Sequence, residues 1–183
     1  MATISSVDAT VGVGVETFRA QGAKVVPLPL DRQGLKLEPL ERLARAGALR
    51  AVHVTPHHQF PTTVTLSAAR RLQLLELART YRFAILEEDN DHEFHYDGRP
   101  VLPLASADDA GLVVYIGTLS KILAPSLRIG YIVAPAAVLK SVGAIRSLFD
   151  IQGDLATEAA IATLIDDGEL QRHVARVRRI YAT

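Results

Sequence analysis

The sequence has 183 residues, of which 49% are hydrophobic and 22% are charged, a composition typical of a folded globular protein. Twenty basic residues balance twenty acidic residues, which argues against a broad cationic surface for nucleic acid or an anionic membrane. The absence of cysteine excludes disulfides, thiolate catalysis and zinc–thiolate sites. Neither a signal peptide nor an apolar run of about 20 residues is visible, so we expect a cytoplasmic protein without a membrane partner.

Strand and helix signals alternate along most of the sequence. Apolar residues at helical spacing predict helices at residues 11–20 and 37–46, and a third that follows the N-cap Ser67 and runs to residue 81. Short apolar runs predict strands at residues 24–28, 51–55, 83–86, 112–116 and 129–133. Three further helices are predicted at residues 136–148, 157–165 and 169–181. This order predicts an α/β fold with helices on both faces of a mostly parallel central sheet, followed by a helical C-terminal segment.

Polar residues follow three of the predicted strands, at residues 55–63, 87–91 and 117–121. In open parallel sheets the chemistry lies at the carboxyl ends of the strands. We therefore expect these three loops to meet at one edge of the sheet.

The segment from Gly117 to Lys121 combines small residues, hydroxyls and a lysine. Small residues let backbone amides approach a phosphate, and hydroxyl groups donate hydrogen bonds to it. A lysine beside a cleft becomes a Schiff-base nucleophile when its pKa is lowered by burial or by neighbouring charge. Arg128 adds a fixed cation that suits a phosphate. The same residues also fit a surface lysine and arginine beside an ordinary loop, because short motifs have many false positives.

Two other interpretations of the polar loops remain open from the residues alone. His57 and His58 are candidate catalytic bases, although a histidine without an identified partner is more often a hydrogen-bonding loop residue. The acidic loop also contains potential metal ligands, but their spacing matches no metal-binding motif, and we predict no metal site there. These potential ligands are Asp89, Asp91, His92, Glu93 and His95.

Three long stretches together resemble one protein family. Residues 116–131, IGTLSKILAPSLRIGY, resemble the lysine segment of fold-type I aminotransferases that use pyridoxal 5′-phosphate (PLP). They are most similar to the aminotransferase-like domain in the MocR branch of GntR transcriptional regulators. Residues 55–62, TPHHQFPT, and residues 87–98, EEDNDHEFHYDG, resemble the same branch in the same order. The resemblance extends from about Asp8 to the end of the sequence, and three motifs in one order are specific evidence.

The resemblance implies PLP as the cofactor and an amino acid or amine as the substrate. It implies that Lys121 binds PLP as a Schiff base and moves the substrate proton during transamination. It also implies further cofactor-binding residues, with the phosphate near Arg128, Thr118 and Ser120. The loop containing His58, Gln59 and Phe60 is expected near the pyridine ring and its 3′-oxygen.

The acidic loop departs from the family pattern at two positions. The family usually has Glu-Asp-Asp-Tyr-Asp, in which the first aspartate pairs with the pyridine nitrogen and the tyrosine reaches the 3′-oxygen. Glu88 and Asn90 occupy these positions here. Glutamate keeps the charge that holds the ring protonated, but it is one methylene longer, and a misplacement of about 1 Å can cost on the order of 100-fold in rate. Asp89 is an alternative partner if the strand ends one residue later, and otherwise it points to the opposite side.

The resemblance also implies a truncated family member. Residues 8–148 correspond to part of the large PLP-binding domain, and residues 149–183 to the helical start of the small domain. Family subunits form homodimers, and the winged-helix domain that binds DNA in the regulators is absent from the sequence, so we expect no nucleic acid binding by this chain itself. Three hypotheses follow: a PLP-dependent aminotransferase, the effector-sensing part of a regulator without turnover, and a remnant that cannot hold the cofactor.

Overall fold

The computed structural model describes residues 3–7, 13–59, 61–94, 96, 101–150 and 152–182. The chain divides into two compact units. The first unit contains residues 1–89 and 101–116, and the second contains residues 90–100 and 117–183.

The first unit is built on a sheet with the strand order β2-β1-β5-β6-β7. The pairs β1/β2, β1/β5 and β5/β6 are parallel. A separate antiparallel pair is formed by β3 and β4. The strands are β1 (Thr3–Val7), β2 (Lys24–Leu28), β3 (Leu30–Asp31), β4 (Gly34–Leu35), β5 (Leu49–Val54), β6 (Ala84–Asp89) and β7 (Val113–Thr118).

Three helices complete the first unit: α1 (Val13–Ala20), α2 (Leu37–Arg45) and α3 (Ala68–Tyr81). As predicted, Ser67 is the N-cap of α3, and its side chain accepts a hydrogen bond from the backbone amide of Arg70 at 3.5 Å. The apolar faces of α2 and α3 pack in one core with the central strands. Its most buried side chains include Leu40, Leu74, Phe83, Ile85 and Val52.

Arg70 of α3 fixes the β3–β4 pair. Its guanidinium donates to both carboxylate oxygens of Asp31, at 2.6 and 2.7 Å, and to the carbonyl of Gly34 at 2.9 Å. The hydrogen bonds that Asp31 accepts from Arg70 and from the backbone amide of Gln33 lower its pKa to about 2. The ion pair between Arg70 and Asp31 therefore persists down to a pH of about 2.

The second unit contains the last residues of β7, the strand β8 (Gly130–Val133), and the helices α4 (Ala136–Phe149), α5 (Leu155–Asp166) and α6 (Glu169–Tyr181). Asp154 caps α5 by accepting from the backbone amide of Thr157 at 3.1 Å. A smaller core forms around Leu119, Ile122 and Ile161. No described helix is both long enough and apolar enough to cross a membrane.

The predicted α/β class is confirmed, and the sequence located most elements within a few residues. Residues 24–28 and 169–181 form the predicted strand and helix with the predicted bounds. Residues 11 and 12 of the first predicted helix lie outside the described residues. The prediction missed β1, because its sequence TISSV contains two serines and has no continuous apolar run. It also missed β3 and β4, which are only two residues long.

Arg82 ends α3 in a left-handed backbone conformation, with φ 56° and ψ 48°, and its side chain is exposed. Arg82→Gly should raise the free energy of unfolding by roughly 0.5–1 kcal/mol, because glycine has no Cβ to strain in this conformation. Arg79→Gly, within the last turn of the same helix, should lower it by about 1 kcal/mol, because glycine is unfavourable in a helix. Urea unfolding measures both changes, and a shift of both midpoints in the same direction would contradict the assignment.

Candidate functional site

The loop after β5 is closed by hydrogen bonds between its own residues. The amide of Thr63 donates to the carbonyl of Gln59 at 2.6 Å, and the amide of Leu66 donates to the carbonyl of Pro56 at 2.9 Å. The side chain of Gln59 is buried, and its Oε1 accepts from Thr62 Oγ1 at 2.5 Å. His58 is half-buried, and Phe60 lies outside the described residues. These bonds fix Gln59, a predicted cofactor-binding residue, on a closed loop.

Arg71 of α3 anchors this loop from the interior. Although charged, it is only 6% exposed. Its guanidinium donates to the carbonyls of Leu66 at 2.9 Å, Pro56 at 2.8 Å and Leu102 at 2.9 Å. Burial lowers the pKa of Arg71, and the carboxylates of Glu87 and Asp89 oppose that effect. One buried cation thus joins both ends of the loop to the segment at residue 102.

The carboxyl end of β6 carries three consecutive acidic residues whose burial alternates. Glu87 is fully buried and accepts from the backbone amides of Leu104 at 2.8 Å and Ala105 at 3.0 Å. Burial raises the pKa of Glu87, against the opposing effect of these two donors. Asp89 is also buried, whereas Glu88 between them is partly exposed. The strand therefore turns Glu87 and Asp89 inward and Glu88 the other way.

Asp89 and Glu88 have different protein partners. Asp89 Oδ2 lies 2.9 Å from His57 Nδ1 and accepts from the hydroxyl of Tyr115 at 3.2 Å. Glu88 Oε2 lies 2.8 Å from His53 Nε2, and the Glu88 side chain keeps 35% of its surface exposed. β6 extends to Asp89 with regular alternation, three residues beyond the predicted strand. Asp89 is thus engaged inside the first unit, and Glu88 retains an accessible carboxylate.

The lysine segment belongs to the second unit. Thr118 Oγ1 donates to Ser120 Oγ at 3.1 Å and accepts from the amide of Ser120 at 3.2 Å. Lys121 Nζ lies 3.8 Å from Asp91 Oδ2, and the lysine side chain is 54% exposed. Asn90, one residue before Asp91, is half-buried. The segment therefore presents an accessible primary amine next to two hydroxyl groups.

Two backbone features shape this segment. Gly117 packs so closely against Tyr131 that a Cβ at this position would overlap the tyrosine ring. Arg128 has φ 52°, in the left-handed region that non-glycine residues rarely adopt. Such conformations concentrate at functional sites. The exposed guanidinium of Arg128 is therefore held on a strained backbone eleven residues after Gly117.

The structure places each predicted site residue in one of the two units. The first unit contains His58, Gln59 and Glu88. The second contains Asn90, Thr118, Ser120, Lys121 and Arg128. Sequence reasoning missed three supporting residues, His53, Arg71 and Tyr115, and it named Asp91 only as a potential metal ligand. Only Arg71 left a signal, because it shares a helical stripe with the buried residues Leu74 and Ala78.

Comparison with known proteins identifies the family of the chain. The aminotransferase class I and II family pattern matches residues 15–183. The probable rhizopine catabolism regulatory protein MocR of Rhizobium meliloti is 38% identical over 161 residues, which cover 88% of this chain and 32% of that protein. Aromatic-amino-acid aminotransferase 1 of Thermococcus litoralis is 32% identical over 172 residues, which cover 91% of this chain and 41% of the relative.

Solved structures give the same result. Kynurenine aminotransferase of Pyrococcus horikoshii superposes with a TM-score of 0.91 and 30% identity, over 99% of this chain and 46% of that chain. The chain therefore belongs to the aminotransferase class I and II family, which confirms the predicted resemblance. It spans about a third of the length of the first regulator relatives and under half of the aminotransferases.

Arg71→Lys should lower the free energy of unfolding by about 2–4 kcal/mol, because a single ammonium cannot reach the three carbonyls that the guanidinium bridges. Arg79→Lys, at an exposed position of the same helix, should change it by less than about 0.5 kcal/mol. Urea unfolding of the two variants tests this difference. Equal, small effects would show that Arg71 does not anchor the loop.

Proposed function

We propose that this chain is the cofactor-binding part of a PLP-dependent, aminotransferase-like protein that acts on an amino acid or amine through Lys121. One observation carries the proposal: the accessible amine of Lys121 lies in a short segment with the hydroxyls of Thr118 and Ser120. Arg128 adds a guanidinium on the same unit. The aminotransferase of Pyrococcus horikoshii, which shares this fold, was solved with PMP, the amine form of the cofactor.

The donor set of the chain fits PLP. Its aldehyde requires a primary amine, which Lys121 supplies from an exposed position. Its phosphate requires cationic and hydroxyl donors, which Arg128, Thr118 and Ser120 supply. Its pyridine nitrogen requires a carboxylate, and Glu88 has one that is partly exposed.

Each of these residues has a distinct task in the proposed reaction. When bound, PLP supplies an electron sink for the charge that develops on the substrate α-carbon. Lys121 Nζ would hold the cofactor and, once the substrate amine has displaced it, would carry the proton that leaves the α-carbon. Asp91 Oδ2 lies 3.8 Å from Lys121 Nζ and is its nearest described carboxylate partner. Glu88 keeps a proton on the pyridine nitrogen, with its own orientation fixed by His53 at 2.8 Å.

Asn90 and Gln59 are the proposed neighbours of the 3′-oxygen. An asparagine amide donates a hydrogen bond, as a tyrosine hydroxyl does, but it has no titratable proton. The pair Glu88 and Asn90 therefore preserves the charge and the hydrogen bond of the family pattern and loses the phenol. We expect slower turnover than in a family member with aspartate and tyrosine at these positions.

A second candidate function is effector sensing without turnover. The MocR relative and the HTH-type transcriptional regulator YdeL of Bacillus subtilis, at 38% and 37% identity, favour it. In that case the whole protein would bind DNA through a separate winged-helix domain and form a homodimer, and the amine ligand would change its conformation. Mixing the protein with PLP, an amino donor and a keto acceptor separates the two functions, because only the enzyme forms the new amino acid catalytically.

Lys121→Ala should abolish the visible absorbance band that PLP acquires when it is bound to a lysine amine. Lys140→Ala, which removes an exposed lysine of α4, should leave the band unchanged and is the matched control. Absorbance titration with PLP, followed by borohydride reduction and peptide mapping, identifies the modified lysine. A band of equal intensity in the Lys121→Ala variant would refute the proposed function.

Glu88→Gln should weaken PLP binding by roughly 10-fold or more, because a hydrogen bond to a charged group contributes about 1.5–3 kcal/mol. Glu76→Gln, at an exposed position of α3, should have no effect. The same absorbance titration measures both dissociation constants. Equal affinity of the wild type and Glu88→Gln would show that another group pairs with the pyridine nitrogen.

A further inference from the structure

His57 is a buried histidine that the proposed reaction does not use. It is 2% exposed, yet both of its ring nitrogens face oxygen atoms. Nε2 lies 2.6 Å from the carbonyl oxygen of Val101, and Nδ1 lies 2.9 Å from Asp89 Oδ2. A backbone carbonyl only accepts, so Nε2 must carry a proton. The carboxylate is the better partner of a second N–H, which makes the ring an imidazolium.

The electrostatic surroundings agree with a charged ring. Burial by itself lowers the pKa of His57, but the hydrogen bonds to Asp89 and Val101 outweigh it, and the pKa is raised above its ordinary value. Among the other charged groups of the first unit, Arg71 opposes this charge and Glu87 favours it. The hydroxyl of Tyr115 donates to Asp89 Oδ2, the carboxylate oxygen that lies 2.9 Å from His57 Nδ1.

The position of His57 connects this charge to the candidate site. His57 lies two residues before Gln59, and its own carbonyl accepts from Thr65 Oγ1 at 2.8 Å. Its partner Asp89 follows Glu88 directly in β6. A single ring thus joins the Gln59 loop, the end of β6 and the segment that begins at Val101.

We propose that His57, as an imidazolium, is a positioning residue for the PLP site, because it holds the Gln59 loop and the Glu88 end of β6 in one arrangement. This inference rests on the proposed function for the identity of the ligand. The positioning itself is a property of the first unit and is measurable without PLP.

The expected pH dependence follows from the raised pKa. A group whose pKa is higher in the folded state stabilises that state fully below its unfolded pKa, and the contribution is lost as the pH rises through the folded pKa. The contacts around His57 should therefore be most stable in mildly acidic solution and become less stable in alkaline solution. His57→Asn removes the charge and makes the loop insensitive to this titration.

The first measurement is PLP affinity as a function of pH for the wild type, His57→Asn and His173→Asn. His173 is the matched control, since its Nε2 hydrogen-bonds the carbonyl of Ile122 at 2.9 Å in the second unit. At pH 6 His57→Asn should weaken PLP binding by about tenfold, the effect of losing a hydrogen bond to a charged group. The ratio of the two dissociation constants should approach one as the pH rises, and His173→Asn should match the wild type at every pH.

The second measurement is hydrogen exchange without PLP, which reports on the loop directly. The amides of Gln59, Thr63 and Leu66 close the loop, and their protection factors should fall in His57→Asn but not in His173→Asn. In the wild type the same protection factors should fall as the pH rises through the His57 pKa measured by NMR. The wild-type profile does not depend on the variant being able to fold.

The outcomes separate the two proposals. The role of His57 is overturned if His57→Asn leaves the loop protection unchanged and the two dissociation constants are equal at every pH. If the Lys121-dependent band persists in that case, the proposed function stays intact. A band that does not depend on Lys121 would overturn the proposed function, and the exchange data would still decide whether His57 positions the loop.

Discussion

The first unit depends on how it accommodates two carboxylates that β6 turns into its interior. Glu87 and Asp89 alternate with Glu88 along the strand, and burying an ionised carboxylate is unfavourable unless it is paired and hydrogen-bonded. Glu87 receives two backbone amides, and Asp89 faces His57 and the hydroxyl of Tyr115. These partners come from three separate parts of the sequence. Because the carboxylates require them, the loop after β5 and the segment at residues 101–105 are held against the strand that carries Glu88.

This constraint explains why the sequence predicted the helices and strands better than it predicted the residues that hold the candidate site in place. Helices and strands left local signals, namely apolar runs, the Ser67 cap and the spacing of Leu74, Leu77 and Ala78. The partners of a buried charge leave no such signal, because they are distant in sequence and include backbone atoms. The amides of Leu104 and Ala105 that bind Glu87 are seventeen and eighteen residues away. The sequence therefore predicts Glu87 as the first residue of an acidic loop, whereas in the structure Glu87 is fully buried and belongs to β6.

The different surroundings of Glu88 and Asp89 show what the structure adds to a motif. The sequence left both as partners of the pyridine nitrogen, and only the end of the strand distinguished them. With β6 extended to Asp89, the side-chain alternation turns Asp89 inward to His57 and leaves Glu88 partly exposed. The longer glutamate side chain also reaches His53 on the neighbouring strand β5 at 2.8 Å. That contact restricts a side chain which would otherwise have more rotamers than the aspartate usual in the family, so part of the cost of the extra methylene is offset.

The second unit differs from the first, because two of its proposed ligands, Lys121 and Arg128, are exposed and their positions depend on the backbone. Gly117 has no room for a Cβ beside Tyr131, and Arg128 adopts a left-handed conformation on leaving a short helical turn. Each feature costs conformational freedom or strain, and neither contributes a buried side chain to the core around Leu119 and Ile122. Left-handed backbone at an exposed arginine is not by itself a binding feature, because Arg82 shows the same combination at the end of α3. What distinguishes Arg128 is that its exposed cation lies in the same unit as the exposed Lys121, and the proposed binding of an anionic cofactor requires both groups.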